Sequence, residues 1–136
     1  MFKILLVEDS PADALLMQKV FEHAGTACSL QIAEDGEIAL EILVGATPDS
    51  LPNLILLDMN LPRKSGLEVL QTVKGDEDLR VIPVIMLSGS QSPEDVRQAY
   101  FYHANSYVTK PGSVEEYKAF LHAFEAYWLN VAVLSH

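Results

Sequence analysis

The chain has 136 residues, of which 49% are hydrophobic and 21% charged, and it carries a formal net charge of −10. That length and balance suit one domain with a sizeable core rather than a disordered chain, and the negative charge disfavours non-specific binding to nucleic acid or an anionic membrane surface. The one cysteine, Cys28, excludes an internal disulfide and fits a reducing cytoplasm. No apolar run is long enough to span a bilayer, and "MFKILLVED" is too short and too acidic for a signal segment.

Short apolar runs alternate with amphipathic stretches. "KILLV" (3–7) reads as the first strand, and its near-continuous hydrophobicity suits a parallel sheet buried on both faces. "SPAD" then marks a helix start, with serine at the N-cap, proline at the first helical position and Asp13 at the third. Leu16, Met17, Val20, Phe21 and Ala24 share a face of that helix, and Gly25 can close it. "LQIA" (30–33) is the second strand, and Asp35–Gly36 turns into a helix lined by Leu40, Leu43 and Val44. "LILL" (54–57) is the third strand, followed by a helix lined by Leu67, Leu70 and Val73. "VIML" (84–87) is the fourth; "SPED" starts the helix lined by Val96, Ala99 and Tyr100. "SYVT" (106–109) is the fifth, and "SVEE" reads as a capping box before a last helix lined by Tyr117, Phe120, Leu121, Phe124 and Trp128. The order is (βα)5 with no interrupting linker, which predicts an α/β, doubly wound open sheet over one domain, residues 1–136, with no output domain.

In such sheets, sites form outside the carboxyl ends of the strands. Those ends carry Glu8 and Asp9, then Asp58, then Ser88, then Thr109, Lys110 and Pro111. If the first and third strands are neighbours, three carboxylates crowd together. Two like charges ~4 Å apart repel by roughly 4 kcal/mol at an effective dielectric near 20. A carboxyl must protonate or a cation must bind, and an oxygen-only donor set favours magnesium over zinc. The histidines (His23, His103, His122 and His136) show no ligand spacing and read as structural or surface residues.

"LLVEDSPAD", "LILLDMNLPRKSGLEVL", "IPVIMLSGS" and "ANSYVTKP" together resemble the receiver domain of two-component response regulators, over nearly the whole chain. "YFYHANSYVTKP" and "AYWLNVAVL" more narrowly resemble the single-domain regulators paired with phytochrome histidine kinases. The resemblance implies a flavodoxin-like sheet of order 2-1-3-4-5. It implies Asp58 as phosphoacceptor, Asp9 as direct magnesium ligand, Glu8 as a ligand through water, and Asn60 as a ligand through its backbone carbonyl. Asp58 would also touch the metal, for which manganese or calcium can substitute. Ser88 and Tyr107 would be the switch hydroxyl and aromatic, Lys110 the phosphoryl-binding lysine, and Lys110–Pro111 matches a peptide bond that is often cis in the family, which makes Pro111 a cis-peptide candidate. The expected function is magnesium-dependent acceptance of a phosphoryl group from a histidine kinase of the phytochrome type, with the signal passed on by protein contacts in the cytoplasm and no nucleic acid or membrane as partner. A relay intermediate or phosphate sink is the variant reading.

Two other classes share parts of this pattern. A flavodoxin-like electron carrier needs a Ser/Thr/Gly-rich phosphate loop after the first strand, where this chain has "EDSPAD". A hydrolase acting through an aspartyl phosphate has a weak echo in "DMN" but places its nucleophile on the first strand. Finally, Tyr127, Leu129, Val131, Val133 and Leu134 exceed what the last helix's stripe can bury, and Phe101 and Tyr102 lie off the core face of the fourth helix. This predicts a homodimer through the last helix and tail with Phe101, Tyr102, Tyr127, Trp128, Val131 and Leu134 at its interface; a tail folded back over its own domain is the alternative.

Overall fold

A computed structural model describes residues 1–25 and 27–135; His136 lies outside the described residues. Five parallel strands, β1 (Phe2–Val7), β2 (Cys28–Ala33), β3 (Leu54–Asp58), β4 (Val84–Ser88) and β5 (Ser106–Thr109), form one sheet in the order β2-β1-β3-β4-β5. Between and after them run α1 (Pro11–His23), α2 (Gly36–Val44), α3 (Gly66–Gly75), α4 (Pro93–Phe101) and α5 (Val114–Phe124). The expected doubly wound sheet is therefore present, with its predicted order.

Alternation along each strand divides the interior into two layers. Leu5, Val7, Ile55, Leu57, Val84 and Met86 face α2, α3 and α4. Ile4, Leu6, Leu54, Leu56, Ile85 and Leu87 face α1 and α5. Every residue of β3 and β4 is buried, which explains why their apolar runs are unbroken. At the amino end of the sheet, Asn53 grips the backbone of Lys3 twice. Its N–H donates to the Lys3 carbonyl at 2.8 Å, and its Oδ1 accepts from the Lys3 N–H at 2.7 Å.

Helix starts follow the local chemistry. Ser10, Ser92 and Ser113 cap α1, α4 and α5, each accepting from the N–H three residues on. Gly25 follows α1 with φ +65°, a left-handed closure that glycine permits without cost. The reciprocal capping box lies elsewhere than predicted. At α3, Ser65 accepts from Glu68 N–H while the Glu68 carboxylate accepts from Ser65 N–H. At α5, Glu116 instead reaches past its cap to the Gly112 N–H at 3.1 Å.

Other expectations need correction. Val44 is exposed because Ala39 and Leu43, four residues apart, set the buried side of α2. Tyr100 is also exposed; its phenol oxygen turns to accept from Tyr107 N–H at 3.0 Å. Val69, not singled out above, is fully buried on α3. Lys110–Pro111 is trans, and no cis bond occurs among the described residues. Trans is the lower isomer even before proline, by ~0.5–1 kcal/mol. In it the chain already enters α5 with both the Gly112 and Glu116 N–H groups bonded.

Gly66 shows how tightly α3 is set against the end of β3. A Cβ there would lie 2.0 Å from the Asp58 carbonyl oxygen and 2.7 Å from the Met59 Cα. Both are backbone atoms, so the helix itself would have to shift. We expect Gly66→Ala to destabilise the fold by about 2 kcal/mol or more. Gly75→Ala, on the same helix with nothing within 4 Å of its added carbon, should be neutral or mildly stabilising. Urea denaturation of the two variants checks this; equal midpoints would contradict the packing argument.

Candidate phosphoacceptor site

The carboxyl ends of β1, β3, β4 and β5 form one rim. Val7 is paired with Leu57, Asp58 with Leu87, and Ser88 with Thr109. Two residues beyond the strands extend the ladder: Glu8 N–H donates to the Ala33 carbonyl at 3.0 Å, and Lys110 N–H to the Ser88 carbonyl at 2.8 Å. The backbone thus carries Glu8 and Lys110 into the rim in fixed positions, either side of Asp58.

Carboxylate oxygens of Glu8, Asp9 and Asp58 all lie within 4.8 Å of one another. Glu8 and Asp58 are buried, whereas Asp9 faces solvent. Asp9 has no ion-pair partner among the described residues. The Lys110 ammonium is the local counter-charge. Its Nζ lies 2.7 Å from Glu8 Oε1, 3.0 Å from Asp13 Oδ2 and 3.2 Å from Asp58 Oδ2. Burial pushes the Glu8 carboxyl up to about 7, and the nearby Asp58 charge adds to this. Bonds from Lys110 and from Ser10 N–H pull the other way without overcoming it. Burial works against the Lys110 charge, yet its bonds to Glu8 and Asp13 outweigh that and hold its proton well above the usual lysine range.

One lysine cannot balance this many acids. The three gathered carboxylates are hard oxygen donors with an open, solvent-facing side at Asp9, and they fit a magnesium-type cation. None of His23, His103 or His122 belongs to the cluster; all three are exposed.

The remaining predicted residues take the following places. Asn60 is exposed on the loop after β3, where its N–H donates to Asp58 Oδ1 at 3.2 Å. Ser88 is fully buried, and its hydroxyl oxygen accepts from Ser90 N–H at 3.1 Å. The half-buried Tyr107 sends its phenol O–H to the Ser90 carbonyl at 2.8 Å. Ser88 and Tyr107 thus meet at one residue, Ser90, on the loop into α4. Pro111 follows Lys110 on a trans bond.

Two neighbours escaped the sequence reading. Asp13 was assigned only to the start of α1, although its carboxylate pairs with Lys110. Tyr117 was assigned to the core of α5. Burial, and then the charges of Asp13, Glu8 and Asp58, push its phenol up to about 12, with Lys110 opposing, so it is a neutral wall beside the acids. Local spacing cannot show either role, since both depend on Lys110 arriving from a distant strand.

Comparison with known proteins identifies the family of the chain and its fold. The family model described as response regulator receiver domain matches residues 4–122. The chain is 43% identical over 131 residues to the probable methanogenesis regulatory protein FilR2 of Methanothrix harundinacea, covering 95% of this chain and 84% of that protein. It is 41% identical over 134 residues to response regulator Rcp1 of Synechocystis sp., covering 96% and 91%. The structure of the Mn(2+)-bound form of Rcp1 superposes with a TM-score of 0.89 at 39% identity over the full length of both chains. The phosphorylated cyanobacterial phytochrome response regulator RcpA superposes with a TM-score of 0.90 at 36% identity, covering 99% of each chain. The likeness in sequence and fold runs along nearly the entire chain, whose parallel sheet has the order 2-1-3-4-5, and the chain belongs to the response regulator receiver domain family.

Proposed function

We propose that this receiver takes a phosphoryl group from a phosphohistidine of a histidine kinase onto Asp58 and signals through contacts with other proteins. The observation that carries this reading is the placement of the buried Asp58 carboxylate between the Lys110 ammonium and the acidic pair Glu8 and Asp9. An oxygen of Asp58 attacks phosphorus in line, the P–N bond breaks, and the imidazole leaves with the electron pair and takes up a proton. The product is an acyl phosphate. Lys110 neutralises charge on the transferred group, and the Ser88 hydroxyl supplies a further donor at the next strand end. Asp9, Asp58 and the Asn60 carbonyl would hold a magnesium ion directly and Glu8 through water, and the ion would supply charge neutralisation to the transferred group.

The similarity to Rcp1 and RcpA, the latter described as a phytochrome response regulator, supports a phytochrome-type kinase as the donor. Among the described residues no helix is long and apolar enough to cross a membrane.

A homodimer completes the proposal. Phe101 and Val131 are 70% and 67% exposed, and Tyr127 is exposed beside Trp128. By contrast, Tyr102 packs partly on the α2–α4 layer and Trp128 partly on the α1–α5 layer. Leu134 lines a hollow with Met1, Phe2 and Trp128 at the amino end of the sheet. The first three residues supply the intermolecular face, and the last three shape it from within.

Three expected outcomes test these statements. Asp58→Asn should abolish phosphoryl incorporation from a kinase or phosphoramidate while keeping the wild-type circular dichroism, and excess chelator should abolish it in the wild type. Undiminished incorporation in either case would remove the assignment. The pH response of the metal-free protein reports Glu8. Its folded carboxyl titrates near 7, above the ordinary 4.5. Between those values the folded chain holds a proton that the unfolded chain has released, so this contribution stabilises at low pH and is lost as pH rises to about 7. Asp58, Asp9 and Lys110 face the same group. In chelator, Glu8→Gln should therefore gain stability relative to wild type from pH 5 to 7.5, by urea denaturation; a constant difference would refute it. For the dimer, sedimentation equilibrium should show a reversible dimer that Phe101→Asp with Val131→Asp reduces to monomer. A wild-type monomer at all concentrations would overturn the dimer.

A further inference from the structure

Lys110 is paired with three acids, and they are not equivalent. Glu8 and Asp58 belong to the trio whose oxygens gather around a cation. Asp13 does not. A divalent ion in that trio takes up the negative charge of Glu8 and Asp58 and repels the ammonium. The 3.0 Å pair with Asp13 is then the one contact of Lys110 for which the ion does not compete. Asp13 suits that task. It stands on the first turn of α1, where Pro11 and the bond from its own N–H to Ser10 Oγ fix the backbone. Ser10 already caps the helix, so the Asp13 carboxylate is not needed for capping. The Lys110 side chain is only 19% exposed against 38% for Asp13, so the lysine end of the pair is withdrawn from solvent. Both Asp13 Oδ2 and Asp58 Oδ2 lie within 3.2 Å of the same nitrogen, so a small displacement of the ammonium carries it from one oxygen to the other.

We propose that Asp13 is a positioning residue that keeps the Lys110 ammonium at the rim when a divalent cation binds, aimed at the phosphoryl group on Asp58. This rests on the phosphoacceptor reading of Asp58. Without Asp13, the flexible lysine turns away from the bound ion toward water.

The test compares wild type with Asp13→Asn and Asp13→Glu. Calorimetric titration with magnesium should give affinities within about twofold, because Asp13 is not a ligand. The rate of Asp58 phosphorylation by phosphoramidate at saturating magnesium should fall about tenfold in Asp13→Asn and recover in part in Asp13→Glu. In a Lys110→Ala background, Asp13→Asn should cause no further loss. A readout independent of activity is the nitrogen-15 signal of Lys110 Nζ. It should stay protected from water exchange in wild type with or without magnesium, and lose protection in Asp13→Asn only when magnesium is added. A wild-type saturating rate in Asp13→Asn, an Nζ signal indifferent to the substitution, or an additive loss in the Lys110→Ala background would overturn the proposal. If Asp13→Asn does not fold, Asp13→Ser is measured in its place. If wild type itself incorporates no phosphate at Asp58, the phosphoacceptor reading fails. If it does and the Asp13 variants match it, only the role of Asp13 fails.

Discussion

The rim is organised by one ammonium shared among acids. Lys110 is the sole base in contact with Glu8, Asp13 and Asp58 among the described residues, and these come from three elements: the end of β1, the first turn of α1 and the end of β3. Removing it would leave the buried carboxyl groups of Glu8 and Asp58 facing each other without a counter-charge and would favour the protonated form of Glu8. Keeping it leaves the cluster still short of positive charge, which is what makes the place receptive to a hard cation. The sheet supplies the geometry, because parallel strands present all their carboxyl ends on the same edge, and the backbone bond from Lys110 to Ser88 fixes where the lysine begins.

The loops around the rim hold this arrangement by close packing of backbone. At Gly36 an added Cβ would fall 2.1 Å from the Lys64 carbonyl oxygen, so the start of α2 lies directly on the loop that follows Asp58. On the same loop Arg63 takes φ +67°, with its guanidinium 3.5 Å from Glu37 and 3.7 Å from Asp35. Arg63 is exposed in both pairs, and its pair with the equally exposed Glu37 contributes little energy, whereas Asp35 is buried. Their position matters more than their strength, since they lie between α2 and the segment that carries Asn60.

Much of this was legible in the amino-acid order because buried parallel strands are written almost without polar letters. "LILL" and "VIML" could be located directly, and the first polar residue after each strand then pointed to the rim. Asp58, Asp9, Glu8 and Lys110 stand out for that reason. Asp13 did not, because a helix start accounts for an aspartate there without any partner, and its partner is supplied only by folding. The faces of short helices were harder to read. In α2, Val44 and Leu43 are adjacent in sequence and similar in character, and only contact with the sheet decides which of them turns inward. Similarly, Tyr100 looked apolar from its spacing, whereas its oxygen is used by the neighbouring strand.

The uniform apolarity of β3 has a consequence at its far end. A strand with alternating polar and apolar residues resists slippage, because a shift of one residue exposes its core side chains. In Leu54–Leu57 every position is buried, and neighbouring leucines and isoleucine could trade layers at modest loss. Hydrophobicity therefore defines the strand but only weakly defines its alignment. What marks the starting point is Asn53, whose two bonds to Lys3 match the residue just before β3 to one residue of β1. Each step along a strand is about 3.3 Å, comparable to the separations among Lys110, Glu8 and Asp58. An asparagine at the opposite end of the sheet, with no part in the chemistry, thus acts as the origin from which the depth of Asp58 in the rim is measured.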